Sequence, residues 1–270
     1  MAERIQVLVN FRSNYSATPG DLFNKRVSFA IDSALEKRNK EAKRRTYLGP
    51  SAIGRECMRE VQYGFMGQPK DYDFTGKTLR IFDFGHESET LMANWMKDAG
   101  IILEDYNPKT GKQWEFEIQV GKEGKVAGHC DGIIKGLKDS VPEKEVIEKY
   151  MHGFPCLWEA KSMNNSKWNT YKKNGVRESH FEYYVQVQLY MAFMKLTDNL
   201  CWFTAVNKDT AELHHEFIGY DSQVAQQYSD RAYEIIMATE RGELLPRAFD
   251  DPSYFKCKWC SYRNTCWGKK

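Results

Sequence analysis

The chain of 270 residues carries 39 Lys and Arg against 37 Asp and Glu, a formal net charge of +2. A chain of this size folds as one elaborated domain or two small ones, and the near balance of charge leaves any attraction to nucleic acid to local clusters. No apolar run approaches the roughly 20 residues of a membrane-crossing helix, and the opening Met-Ala-Glu-Arg-Ile lacks the basic start and apolar run of a secretion signal, so an intracellular (cytoplasmic) protein with no membrane contact is expected.

In chain order, residues 20–45 read as a helix, with Phe23, Val27, Ile31 and Leu35 near helical spacing and a basic end from Lys37 to Arg45. That end suits a solvated terminus complementing the helix dipole or a phosphate-contacting arm. Gly49-Pro50-Ser51 breaks the chain before a helix through about Phe65 that carries Cys57. A further helix, about 78–99, sets His86 and Glu89 one turn apart on a shared face, with Glu89 expected in a surface ion pair or a helix-face role rather than at a second metal. Gly76-Lys77-Thr78 has the tail of a phosphate-binding loop, but Asp71 stands where the first glycine is required, which excludes that kind of ATP site.

From Gln113 the period changes. Trp114, Phe116, Ile118 and Val120 alternate with polar residues as in a half-buried strand, and Val126 to Ile134 reads as its neighbour. Residues 136–153 are polar and read as an exposed insertion before an apolar strand, Pro155 to Met163. A helix from about Glu178 to Leu196, strands Cys201–Val206 and Leu213–Ile218 and a long helix over 222–241 complete the pattern, which predicts an α/β core with helical additions.

Two residue sets carry chemistry. Asp131 and Glu159 offer hard carboxylates for Mg²⁺ or Mn²⁺, and Lys161 shares a strand face with Glu159 because side chains two apart in a strand point the same way, while Ala160 turns to the core. Hydrolysis of a phosphodiester needs a cation to activate water and to neutralise charge building on the phosphate, and an ammonium to support the transition state. The second set is Cys57 with Cys257, Cys260 and Cys266, four soft thiols among seven cysteines. In a reducing compartment these read as ligands rather than disulfides, and four thiolates fit either tetrahedral Zn²⁺ or a 4Fe-4S cluster. Cys130, Cys156 and Cys201, in apolar stretches, are expected to be buried packing residues.

The order of Gly85-His86, Gly128-His129-Cys130-Asp131-Gly132, Glu159-Ala160-Lys161 and Gln186 followed by Tyr190 resembles the RecB-like branch of the PD-(D/E)xK nuclease superfamily over roughly residues 50–268. The resemblance implies an α/β restriction-endonuclease-like fold, a mixed central sheet flanked by helices. It implies metal ligation by His86, Asp131, Glu159 and the Ala160 carbonyl, catalysis by Lys161, and positioning of the substrate strand or the site by Gln186 and Tyr190. The Asp131 to Glu159 separation is longer than the family pattern, which the 136–153 insertion accounts for. One cysteine before the core and three after it is similar to AddB and to CRISPR-associated RecB-like exonucleases, and implies a 4Fe-4S cluster joining the N-terminal helix region to the C-terminal tail. The expected organisation is a helical arm (1–49), a nuclease core (50–245) and a cysteine-rich cluster-binding tail (246–270).

Arg55 and Arg59 flank Cys57 as phosphate contacts or ion-pair partners, and Lys256, Lys258 and Arg263 interleave with Phe255, Trp259 and Tyr262 where a strand can cross the tail. The expected function is an Mg²⁺- or Mn²⁺-dependent DNA exonuclease acting on single strands or ends, with DNA as partner and a helicase or recombination protein supplying exposed ends. The rival readings are a zinc-stapled recombination nuclease on duplex ends, and a nucleic-acid-binding adaptor with an idle core.

Overall fold

The computed structural model describes residues 18–268; the first 17 residues of the expected arm and the last two of the tail lie outside them. The described residues divide into two compact units, 18–43 with Asp73–Asp83, and Arg44–Tyr72 with 84–268.

The smaller unit is built on helix α1 (Pro19–Glu41), which ends four residues before the expected Arg45. It starts on a reciprocal cap: the Thr18 hydroxyl accepts from the Asp21 amide, and the Asp21 carboxylate accepts from the Thr18 amide. No residue of α1 is buried, and polar contacts fasten it. Arg38 makes a two-pronged contact with Asp83 at 2.9 and 2.7 Å, Lys40 pairs with Asp73 at 3.4 Å, and Glu36 accepts from the Gly76 amide at 2.9 Å. The basic end of α1 is thus engaged with acids of its own unit.

In the larger unit, α2 (Pro50–Ile53) and α3 (Met58–Met66) replace the single helix expected from Ser51, and Cys57 stands at the N-cap of α3 rather than inside a helix. Helix α4 (Gly76–Asp98) enters this unit at Phe84. The strands are β1 (Ile101–Glu104), β2 (Glu115–Val120), β3 (Gly124–His129) and β4 (Gly132–Leu137), then, after the short helix α5 (Lys144–Met151), β5 (Cys156–Met163). Helices α6 (Asn165–Ser179) and α7 (Phe181–Phe193), strands β6 (Cys201–Asn207) and β7 (Leu213–Ile218), the long α8 (Ser222–Glu240) and two short tail helices, α9 (Phe255–Lys258) and α10 (Arg263–Trp267), follow.

The central sheet runs β1-β4-β5-β6-β7, with β5 and β6 parallel and the other neighbours antiparallel, and β2 and β3 form a separate hairpin. A mixed sheet flanked by helices is the α/β architecture expected. Two further local expectations are corrected, and two elements, α6 and β1, were not foreseen. Val126 to Ile134 is not one strand: it breaks at Cys130-Asp131, so β3 joins the hairpin and β4 the central sheet. The 136–153 insertion contains α5, whose Met151 is fully buried against Cys156 and Trp158 in one core. The helix expected over about Glu178 to Leu196 is α7, and before it stands the unexpected α6, capped by the Asn164 side chain on the Lys167 amide, with a kink at Gly175 (φ 73°) separating its last turn. The short strand β1, unseen in the sequence, edges the sheet.

The sheet separates two apolar layers. On one side Trp158 and Ala160 pack with Met92, Ala93 and Met96 of α4; on the other Leu157, Phe203 and Ala205 pack with Val185 and Leu189 of α7 and Ile235 of α8. Each fully buried aliphatic side chain there contributes about 1.5–3 kcal/mol relative to exposure. Cys130, Cys156 and Cys201 are fully buried, as expected of packing residues. No described helix is long and apolar enough to cross a membrane.

Candidate active site

Alternation along β5 buries Trp158 and Ala160 in one layer and turns Glu159 and Lys161 toward Gln186 and Tyr183 of α7. Asp131 reaches the same place from the break between β3 and β4, where its Oδ2 accepts from the Ala160 amide at 2.8 Å. Lys161 Nζ donates to Glu159 Oε1 and to the Ala160 carbonyl, the latter at 3.0 Å, and stands 3.8 Å from Asp131 Oδ2. Side-chain exposure is 16% for Lys161 and Asp131 and 1% for Glu159.

Gln186 of α7 donates to Glu159 Oε1 at 2.7 Å, which leaves Glu159 Oε2 buried without a hydrogen-bond partner. An ionised carboxylate oxygen in that position is costly unless a positive charge meets it. Burial first, and then the Asp131 charge, push the Glu159 carboxyl up to about 8, against the pull of Lys161. Burial alone lowers the Lys161 ammonium, but Glu159 and Asp131 outweigh it and hold it above its ordinary range.

Glu89 departs from one of its two expected roles. Rather than lying in a surface ion pair, it is half-buried and pushed up to about 7 by burial and by Asp131, with Lys161 acting the other way. With exposed His86 on the same helix it lines a cavity of about 280 Å³ that also contains Asp105, Asp131 and Trp158. The helical offset of three predicted a shared face for His86 and Glu89, but nothing in the sequence said which way that face turned.

Tyr190 donates to the His129 carbonyl at 2.7 Å, so it holds the backbone immediately before Cys130-Asp131. The His129 ring itself turns to Glu115 at 3.0 Å. The glycines of the Asp131 motif are sites of close approach. A Cβ on Gly128 would meet Tyr190 Cε1 at 2.9 Å and Pro50 Cδ at 3.0 Å, and one on Gly132 would meet Leu103 Cδ1 at 2.7 Å and the Glu104 carbonyl at 3.2 Å. Gly132→Ala is expected to cost about 1–3 kcal/mol by overpacking, which a urea titration measures; an unchanged midpoint would show that β1 yields freely.

The four cysteines meet elsewhere. Cys57, Cys257, Cys260 and Cys266 line a cavity of about 510 Å³ together with Arg55, Arg59, Glu60 and Arg247. Burial, and then the neighbouring Cys57, raise the Cys257 thiol, and burial pushes Cys260 up to about 11. Arg247 Nε lies 3.3 Å from Cys266 Sγ. Of the flanking arginines, Arg55 pairs with Glu60 at 2.9 Å and Arg59 donates to the Leu245 carbonyl. The segment around α3 holds the tail by polar contacts as well: Asp71 accepts from the Asn264 amide and donates its own amide to the Ser261 carbonyl, both at 2.7 Å, and Tyr72 donates to the Trp259 carbonyl at 2.9 Å. Among the described residues no three His, Cys, Asp or Glu side chains are drawn into a closed ligand shell at either place.

Fold and site together define an α/β protein whose mixed sheet carries a buried carboxylate–lysine cluster on the first strand of its parallel pair. The crystal structure of SSO0001 shares the fold, with a TM-score of 0.51 at 16% identity over 91% of this chain and 98% of that one. The alkaline exonuclease LHK-Exo from Laribacter hongkongensis is similar at a TM-score of 0.46 and 14% identity, over 78% of this chain and 93% of that one, and its complex with dAMP at 0.47 and 14%, over 79% and 93%. No family model and no curated protein sequence matches the chain.

Proposed function

We propose that the protein is a metal-dependent DNA nuclease, an exonuclease on single strands or ends, that hydrolyses phosphodiesters at the Asp131, Glu159 and Lys161 cluster. The observation that carries this reading is Glu159 Oε2, buried and unpartnered where Asp131 and Glu89 also bring negative charge. Oxygen donors of this kind fit Mg²⁺ or Mn²⁺, with Asp131, Glu159, the Ala160 carbonyl and His86 as the residues to hold the ion and Glu89 beside them. When bound, the ion supplies activation of water and neutralisation of charge on the phosphate.

The chain's own groups do the rest. Gln186 fixes Glu159 Oε1 and leaves Oε2 free of protein partners. Tyr190 fixes the backbone that carries Asp131. Lys161, kept charged by the two carboxylates, donates to the phosphate oxygen on which charge develops.

The cysteine cavity fits a cluster by the chemistry of its donors, four thiols of a soft-metal set with guanidinium groups at its wall. The reading places a 4Fe-4S cluster there as a structural staple, with Zn²⁺ as the alternative that metal analysis separates. The raised thiols imply that protons leave when the cluster is built.

Cleavage of an end-labelled strand is expected to need Mg²⁺ or Mn²⁺, to stop on chelation and to return on adding either ion. Ca²⁺, with its looser coordination, is expected to support binding with little cleavage. Full turnover in excess chelator, with metal removal verified, would overturn the proposal.

A further inference from the structure

Beside the catalytic lysine lies a feature that neither metal ligation nor the cysteine cavity uses. The chain turns between α6 and α7 at His180, and the turn sets the His180 and Tyr183 rings parallel, with centroids 5.5 Å apart and planes 7° from coincidence. Lys161 Nζ stands 5.6 Å from the centre of the Tyr183 ring, so the stack begins at the catalytic ammonium. Both rings line a cavity of about 520 Å³ whose wall carries Lys167, Arg231 and Lys256.

The charge in this cavity is mixed but leans positive. Glu56 is engaged by Lys256, leaving Glu182 as the acid opposite Lys167 and Arg231. Arg231 is anchored by donating to the Arg55 and Glu56 carbonyls, with its Nε buried and unpartnered. Glu56, Glu182 and Lys256 also line the cysteine cavity, where Phe255 and Trp259 are 58% and 74% exposed. A path of aromatic rings and cations therefore runs from the tail to Lys161.

Aromatic rings interleaved with cations suit an unpaired strand: each base has a flat face to lay on a ring, while the cations follow the backbone. A paired base keeps that face inside the duplex. We infer that His180 and Tyr183 form a base-stacking platform that seats an unpaired DNA base next to the carboxylate–lysine cluster, which makes the substrate of the proposed nuclease a single strand or a frayed end. The inference rests on the nuclease reading for the identity of its ligand, but it can be read without turnover.

The probe is a short single-stranded oligodeoxynucleotide carrying 2-aminopurine at one end or the other, titrated with the full-length protein in Ca²⁺. Stacking on the platform is expected to quench the 2-aminopurine at one end. Tyr183→Leu is expected to bind roughly tenfold more weakly and to lose the quench, Tyr183→Phe to keep both, and binding of a blunt duplex to be the same for all three. Replacing the stacked base by an abasic site is expected to weaken the wild-type protein by the same factor and to add nothing in Tyr183→Leu. No quench at either end, or equal affinity of wild type for intact and abasic strands, would overturn the inference, and both are read on wild type alone should Tyr183→Leu fail to fold. A wild type that quenches but cleaves nothing in Mn²⁺ would sink the nuclease reading and leave the platform standing.

Discussion

Lys161→Ala is expected to lower strand cleavage about a thousandfold, the scale on which removal of one transition-state donor acts, while strand binding in Ca²⁺ persists. The same change removes the cation shared by Glu159 and Asp131, whose side chains are 1% and 16% exposed, and so strands two close carboxylates in the interior. Breaking a buried pair from one side costs about 3–5 kcal/mol, so in chelator the variant is expected to melt well below wild type, with Mn²⁺ restoring part of the difference. Glu159→Gln separates the two effects. It keeps the shape and removes the charge, so it is expected to abolish cleavage without that loss of stability and to erase the rise in melting temperature that Mn²⁺ gives the wild type. Wild-type cleavage rates in both variants would show the catalytic assignment to be wrong.

Cys57→Ser is expected to produce the second large effect, on metal content and stability together. Protein purified without oxygen is expected to be brown and to contain iron and sulfide, and each change at Cys57, Cys257, Cys260 or Cys266 to bleach it. A staple from residue 57 to residue 257 closes a loop of about 200 residues, and by analogy with other cross-links its loss costs about 5 kcal/mol. The tail is expected to loosen rather than detach, because Asp71 and Tyr72 still hold Ser261, Asn264 and Trp259. Changes at the buried Cys130, Cys156 and Cys201 are expected to leave the colour alone. Unchanged iron in Cys57→Ser would remove that residue from the site, and colourless protein with one tightly held zinc would establish the zinc alternative.

The sequence made the Asp131, Glu159 and Lys161 cluster legible because the strand period puts Glu159 and Lys161 on one face whatever the surrounding fold, and because Asp131 stands in a glycine-flanked motif. It made the parallel core strands legible through runs that are mostly apolar, such as Cys201 to Val206, where Thr204 is the one polar residue. Helix α6 was hidden because its buried residues, Trp168, Tyr171 and Val176, are spread through a polar stretch and no apolar stripe marks the helical period. The break between β3 and β4 was hidden because both are apolar strands joined by two residues, so only pairing with different sheets tells them apart. Glu89 stayed ambiguous for a related reason: a helical offset fixes a face relative to its own axis and says nothing about the partner. The stacking of Tyr183 on His180 depends on the bend at the end of α6, which no local pattern announces.

The clasp between the α3 segment and the tail also has a consequence in time. Asp71 and Tyr72 find their partners in residues that are made 187 to 193 positions later. Gln62, whose buried amide donates to the Glu243 carbonyl and accepts from the Leu245 amide, waits nearly as long. At ribosomal rates of about 5–20 residues per second that interval is roughly 10–40 s. For that period the side chain of Gln62 and the polar groups of Asp71 and Tyr72 lack these partners, and any chain cut short before residue 243 keeps them so. A nascent chain is therefore expected to keep this early segment open to proteolysis until its partners at residues 243–264 have been made.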